Sequence, residues 1–137
     1  MSNVTRSDDS YIYLDYIVNH LPHFIFWKDK NFHFLGCNQQ FAKTAGLTST
    51  NDIVGKTDYD MPWHNQAEIF IADDNKILSS GMPKLNYEEE QLQRDGSIAV
   101  VLVSKVPIRN EKDDIIGILG IYTDITERKK AEKKLQL

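Results

Sequence analysis

Three extended segments follow one another in the second half of this chain, separated by turns too short for a helix to cross. "KLNYEEEQLQ" (84–93) alternates, "IAVVLVSKVPI" (98–108) is a dense β-branched run, and "IIGILGIYTDI" (115–125) is a third apolar stretch. Arg94-Asp95-Gly96-Ser97 and the polar run Asn110 to Asp114 join them as tight turns. Strands joined this way must run antiparallel, because a parallel pair needs a crossover of a dozen or more residues. The chain is therefore expected to be α+β rather than α/β.

Upstream, the period of the apolar residues changes. Residues 1–9 read as a disordered leader. After Ser10, a plausible N-cap, the positions Tyr11, Leu14, Ile17, Val18 and Leu21 recur at helical spacing and predict a flanking helix over 10–21. Pro22 stops it. "HFIFWKD" (23–29) and "NFHFLGCN" (31–38) predict a hairpin around Asp29-Lys30-Asn31. Asn38 then caps a short helix, "QQFAKTAG", which Gly46 ends. Short turns fill 47–62. "WHNQAEIFIADDNKILSSG" (63–81) is the longest helical segment, with Trp63, Ala67, Phe70, Ile71, Ile77 and Leu78 on one face and Gly81 as its stop. The two hairpin regions can join only through this helical middle. The expected architecture is a five-stranded antiparallel sheet with helices packed across one face, flanked by an N-terminal and a C-terminal helix. The space between sheet and long helix is either a ligand site or ordinary core.

Composition narrows the function. A length of 137 residues fits one domain, and a formal net charge of −4 opposes direct nucleic-acid binding, which needs a cationic face. No apolar run reaches the length of a membrane span, and the polar start lacks the apolar core of a signal peptide. The single cysteine, Cys37, fits a reducing compartment, so the expected location is cytoplasmic.

With these segments in order, the chain resembles a PAS (PAS/PAC) sensor domain. The resemblance rests on "LPHFIFWKDKNFHFLGCNQQFAKTAG", on "IVGKTDYDM", and on "SGMPKLNYEEEQLQRDGSIAVVLVSKVPIRNEKDDIIGILGIYTDITER" with its closing Asp124-Ile125-Thr126. It implies a PAS domain over 22–126 and the start of a signalling helix over 127–137. It also implies a regulatory module that senses a small ligand or a partner, attached to a histidine kinase, a cyclic-dinucleotide enzyme or a transcriptional regulator. Asp124, Ile125 and Thr126 would transmit the signal, and a downstream effector domain is expected in the full-length protein. The residues point the same way, since Asp124 and Thr126 suit a helix N-terminus and Glu127 suits its positive end. A helix of about eleven residues is marginal alone and calls for a continuation or a partner. The alternative is a ligand-free interaction domain, a homodimer through the N-terminal helix (Tyr11, Ile12, Leu14, Ile17) and the outer sheet face.

The ligand is unknown from sequence. Flavin photosensors of the family place a reactive cysteine in the helical middle, where this chain reads "GKTDYDMPW" and has none; Cys37 reads as a packed residue. Haem needs an axial histidine on or after the long helix, and no histidine follows His64. His33 and Cys37, four apart on an expected strand, lie roughly 13 Å apart, too far to share a zinc ion. No metal site is expected. What remains is a small organic ligand or none. Phe24, Phe26, Phe34, Phe41, Trp63, Phe70, Tyr87, Val101, Ser104, Leu119 and Tyr122 are the candidates to line a pocket, with the hydroxyls of Tyr87, Ser104 and Tyr122 as its polar contacts. The same residues could be plain core.

No nucleophile–base pair or phosphate-cradling loop is found, so the domain itself is expected to be non-catalytic. Asn38, Asp58, Asp60 and Arg94 are read as structural polar residues. By resemblance, Asp58 or Asp60 is expected to pair with a basic residue near Arg94 and hold the helical middle to the sheet. Glu88, Glu89 and Glu90 are expected to form a solvated strand edge. A small isomerase-like α+β enzyme would instead need a buried carboxylate facing the cavity.

Overall fold

β-Branched and aromatic residues at alternate positions build five strands in the computed structural model, which describes residues 8–136. These are β1 (Phe24–Asp29), β2 (Phe34–Cys37), β3 (Lys84–Leu92), β4 (Ile98–Arg109) and β5 (Ile115–Asp124). They form one antiparallel sheet in the order β2-β1-β5-β4-β3. The last strand in sequence is thus the central one. Four helices accompany it: α1 (Asp8–His20), α2 (Gln39–Thr44), α3 (Ala67–Ser80) and α4 (Thr126–Leu135). Single 3-10 turns occupy Thr50–Ile53, Asp58–Asp60 and His64–Gln66. The α+β architecture with helices across one sheet face is the expected one.

The register decides what faces the helices. Phe26 lies opposite Cys37 and Gly120, Tyr122 lies opposite Phe24 and Val103, and Val101 lies opposite Glu89. A bulge in the β1–β2 pairing lets Phe34 join this inner face beside Lys28. Gly120 is the inner position on the central strand where the Phe26 ring rests, and a Cβ there would overlap that ring. The core is accordingly a layer of Phe26, Phe34, Phe41, Trp63, Phe70, Val101, Val103 and Tyr122.

Asn38 ties three elements to this layer. Its Oδ1 accepts from Ile25 N and Phe41 N, and its Nδ2 donates to the carbonyls of Val18 and His23. The end of α1, the start of β1 and the first turn of α2 therefore meet on one fully satisfied buried amide.

Several boundaries differ from the sequence reading, each for a local reason. α1 begins at Asp8, so Ser10 lies inside the helix rather than capping it; most of the expected leader lies outside the described residues. The first hairpin turn takes up residues 29–33, because the Asp29 carboxylate accepts the amides of Asn31 and His33 while Phe32 adopts φ 68°. His33 is consequently not on a strand. The segment 63–81 opens with a 3-10 turn before α3, and Gly81 ends it at φ 69°.

Candidate functional site

Two lysines are carried inward by strand parity. Residues two apart on a strand share a face, so Lys28 follows Phe26 inward and Lys105 follows Val101 and Val103. They are only 1% and 3% exposed. α3 meets them with Asp74, which stands on its buried face between Phe70 and Ile77. One Asp74 oxygen accepts from Lys28 Nζ at 2.6 Å and the other from Lys105 Nζ at 2.8 Å. Lys28 Nζ also reaches Asp58 Oδ2 at 2.5 Å, and Trp63 Nε1 donates to Asp58 Oδ1 at 2.9 Å. This chain of buried charges clamps α3 and the 58–60 turn onto β1 and β4.

The network continues toward the surface through Asp73, which takes Lys84 Nζ at 3.0 Å, the Tyr87 hydroxyl at 2.8 Å and Lys105 Nζ at 3.4 Å. Burial acts to raise the Asp73 carboxyl, but Lys105 and the hydrogen bonds from Lys84 and Tyr87 outweigh it and hold the group below its ordinary value. Burial, then the negative charge of Glu89, pushes the Tyr87 hydroxyl up. For Lys105 burial acts to lower the ammonium, yet Asp74 and Glu89 win and its pKa is raised.

Between this network and the rings lies a cavity of about 30 Å³, room for roughly two water molecules. Phe26, Phe34, Phe41, Trp63, Phe70 and Tyr122 supply its aromatic walls, and Val101 and Val103 its floor. Phe41 is the hub, with ring centroids 5.1 Å from Phe26, 5.6 Å from Phe34 and Trp63, and 6.1 Å from Tyr122. Lys28, Asp58, Glu89, Gln91 and Lys105 add the polar wall. Two of its groups are unspent. The Tyr122 hydroxyl is buried without a hydrogen-bond partner among the described residues; Gln91 lies near enough to ease its ionisation but does not reach bonding geometry. The oxygen is thus unbonded among the described residues, and burial holds its pKa up. The Glu89 carboxylate has neither hydrogen bond nor ion pair among the described residues, and burial raises it above an ordinary glutamate despite Lys105 nearby.

A family model described as the PAS fold matches residues 18–130. The chain belongs to the PAS fold family. Among curated proteins it is 25% identical over 112 residues to a diguanylate cyclase of Vibrio cholerae, covering 81% of this chain and 35% of that protein. It is 28% identical over 115 residues to the aerobic respiration control sensor protein ArcB of Escherichia coli, covering 84% of this chain and 14% of that one. Among solved structures, a Vibrio cholera VqmA–ligand–DNA complex superposes with a TM-score of 0.77 at 25% identity, over 84% of this chain and 51% of VqmA. This PAS domain thus spans about a third or less of the curated relatives named here.

The PAS cavity gathers Phe26, Phe34, Phe41, Trp63, Phe70, Val101 and Tyr122 from the residues singled out in the sequence. Phe24 and Tyr87 stand at the margin of the same layer, Phe24 stacked on Tyr122 at 4.8 Å and Tyr87 turned to Asp73. Ser104 and Leu119 do not join them. Each is three residues from an inward neighbour, Val101 or Tyr122, and odd separations on a regular strand point to opposite faces. The Ser104 hydroxyl instead accepts from Asn86 N.

The expected link to Arg94 is also corrected. Asp58 pairs with Lys28, Asp60 caps the amide of Thr57, and the Arg94 side chain lies against Gly46. Nor are the three glutamates one solvated edge, because Glu89 shares parity with Tyr87 and Gln91 and faces the cavity. Two carboxylates therefore face the cavity, as an isomerase reading needs: buried Asp58, whose oxygens Lys28 and Trp63 both occupy, and half-buried Glu89, unpaired among the described residues. His64 is exposed, with Nδ1 against the Met61 carbonyl. Cys37 is buried, and burial pushes its thiol up to about 11.

At the other end of β5 the sheet runs directly into α4. Ile125 N donates to the Val100 carbonyl, and Val100 N donates to Thr126 Oγ1, so the β4–β5 ladder continues to the first helical residue. Asp124 Oδ1 accepts from Thr126 N, as expected of a helix start, but the Thr126 hydroxyl is used across the ladder rather than as a cap. Lys129 reaches Glu88 on β3 at 3.3 Å.

Proposed function

We propose that this PAS domain is the sensory module of a longer signal-transduction protein, detecting a small molecule in the cavity under α3 and passing the change to α4. The observation that carries this reading is the pair of polar groups left unpaired among the described residues, buried Tyr122 Oη and half-buried Glu89, in an aromatic cavity whose β5 wall runs into α4 and whose β4 wall is bonded to its start. A ligand can shift such a device only if it binds two arrangements unequally. The similarity to VqmA, whose complex contains a ligand, supports a bound small molecule here. The similarity to a diguanylate cyclase and to ArcB supports an effector lying outside this chain, either a cyclic-dinucleotide enzyme or a kinase. In this proposal residues 22–126 sense, residues 127–137 begin the output helix, and the domain performs no chemistry of its own. With a net charge of −4 it leaves any nucleic-acid contact to other segments. We place the domain in the cytoplasm; among the described residues no helix is long and apolar enough to cross a membrane.

The test is thermal unfolding of the chain with fractionated cell metabolites, followed by mass spectrometry of retained compounds. A true ligand at ten times its dissociation constant should stabilise by about 1.4 kcal/mol. Failure of every fraction to stabilise or be retained would sink the ligand-sensing reading.

A second reading is favoured by the surface of α1, where Tyr11, Tyr13 and Tyr16 are over 60% exposed and Ile12, Leu14 and Ile17 at least half so. Contiguous apolar surface of this kind marks an interface. We propose a homodimer through α1 and the outer sheet face bearing Leu102, Leu119 and Ile121. Sedimentation velocity should give a dimer for the wild type and a monomer for the Leu14→Glu/Ile17→Glu double variant. A wild type that stays monomeric at high concentration refutes it.

A further inference from the structure

The polar wall of the cavity has an excess of negative charge. Counting the cavity and its rim, Lys28, Lys84 and Lys105 face Asp58, Asp73, Asp74 and Glu89, which leaves one carboxylate in excess. Every lysine in that count is already engaged: Lys28 by Asp58 and Asp74, Lys105 by Asp74 and Asp73, Lys84 by Asp73. An acidic ligand could recruit Lys28 or Lys105 only by stranding a buried carboxylate, which is strongly unfavourable. Glu89 is the carboxylate left over. The Tyr122 hydroxyl, on a residue only 5% exposed, is a second polar group in the cavity wall without a hydrogen-bond partner among the described residues.

Building on the ligand-sensing reading above, we infer that the cavity takes a small cationic or N–H-donating molecule, an amine or a basic heterocycle. Its donor end sits on the Glu89 carboxylate, and its apolar body lies against the rings of Phe41, Phe70 and Trp63. Glu89 is half-buried and unpaired among the described residues, so a cation there gains an ion pair without breaking another contact, and aromatic faces attract the same charge from the other side. Tyr122 Oη, flanked by Gln91, provides the second anchor that orients the molecule. At about 30 Å³ the cavity is smaller than a ring-sized ligand, so binding draws side chains aside between α3 and β3. That displacement reaches β4 and, through Val100, the start of α4.

Benzylamine, benzyl alcohol and benzoate share a ring and differ in the charge of the head group, so they separate the possibilities. Calorimetric titration of the full chain should find benzylamine bound about tenfold tighter than benzyl alcohol, with benzoate weakest, the scale of one charge-assisted hydrogen bond. Glu89→Gln, which breaks no observed contact, should erase that tenfold preference and leave benzyl alcohol unchanged. Tyr122→Phe should weaken benzylamine and benzyl alcohol alike. Benzoate matching benzylamine, or a preference that survives Glu89→Gln, overturns the inference. A retained metabolite with neither positive charge nor N–H donor does the same while leaving ligand sensing intact. If no probe binds and no metabolite is retained, both fall.

Discussion

Lys28→Met should cost about 3–5 kcal/mol of stability in urea unfolding, because it removes one partner of a buried ion network and leaves the other behind. Among the described residues Asp58 loses its only cation and keeps just the Trp63 N–H, while Asp74 is left with Lys105 alone. Both residues are at most 3% exposed, so bulk water does not make good the lost ammonium. Against a typical total of about 5–15 kcal/mol, such a loss brings the domain near its folding threshold. The diagnostic companion is Lys28→Met/Asp58→Asn. If the damage comes from the stranded charge, the double variant should be more stable than the sum of its parts by about 0.5–3 kcal/mol. A single-variant loss below about 1 kcal/mol, with simple additivity, would mean that the charges are not as buried as described.

A network of this type is not the cheapest way to hold a helix on a sheet, since well-packed apolar residues of the same volume are often as stabilising or more so. Its distinctive property is direction. Asp74 can satisfy both oxygens only when Lys28 on β1 and Lys105 on β4 sit either side of β5, which fixes the register of α3 over the central strand. The same groups form one wall of the cavity. A molecule that moves α3 must therefore rearrange hydrogen bonds with strict geometry, which favours two discrete positions over a continuous slide.

Much of the fold was legible because the signals were local. Tight turns of Gly, Asp and Asn required an antiparallel meander, and Asn38 and Gly81 marked a helix start and a helix end. The aromatic half of the site was legible as well, because rings in alternating or helical positions face inward whatever their function. The charged half was missed, although parity was available to find it. Lys28 follows Phe24 and Phe26 at intervals of two, Lys105 follows Val101 and Val103, and Asp74 falls four residues after Phe70. Each is a charge at an inward position, a conflict between composition and pattern. Reading it requires knowing that the three meet, and their separation of 46 and 31 residues hides that. Ser104 and Leu119 were misassigned for the opposite reason: in strands apolar on both faces, composition does not reveal parity, and only the register does.

Phe41→Ala probes the other half of the site and should cost about 3–5 kcal/mol, the range for removing a large buried aromatic side chain. Phe41 is 1% exposed and its ring touches those of Phe26, Phe34, Trp63 and Tyr122, so few neighbours can collapse into the space without leaving their own contacts. Because Phe41 also lines the cavity, the vacated volume joins the existing 30 Å³ instead of forming a separate void. The vacated part is walled by Phe26, Phe34, Trp63 and Tyr122, and such an aromatic space accepts a ring, as engineered cavities lined by large apolar residues do. Benzene should therefore raise the melting temperature of Phe41→Ala and recover part of the loss, by about 2.7 kcal/mol at a hundredfold excess over its dissociation constant. The wild type should respond far less, since benzene carries no group for Glu89 or Tyr122 to hold and a ring enters the 30 Å³ space only after side chains are drawn aside. Equal stabilisation of both proteins by benzene would mean instead that the wild-type rings part readily, and Phe41 would then be a gate to the cavity rather than a fixed wall.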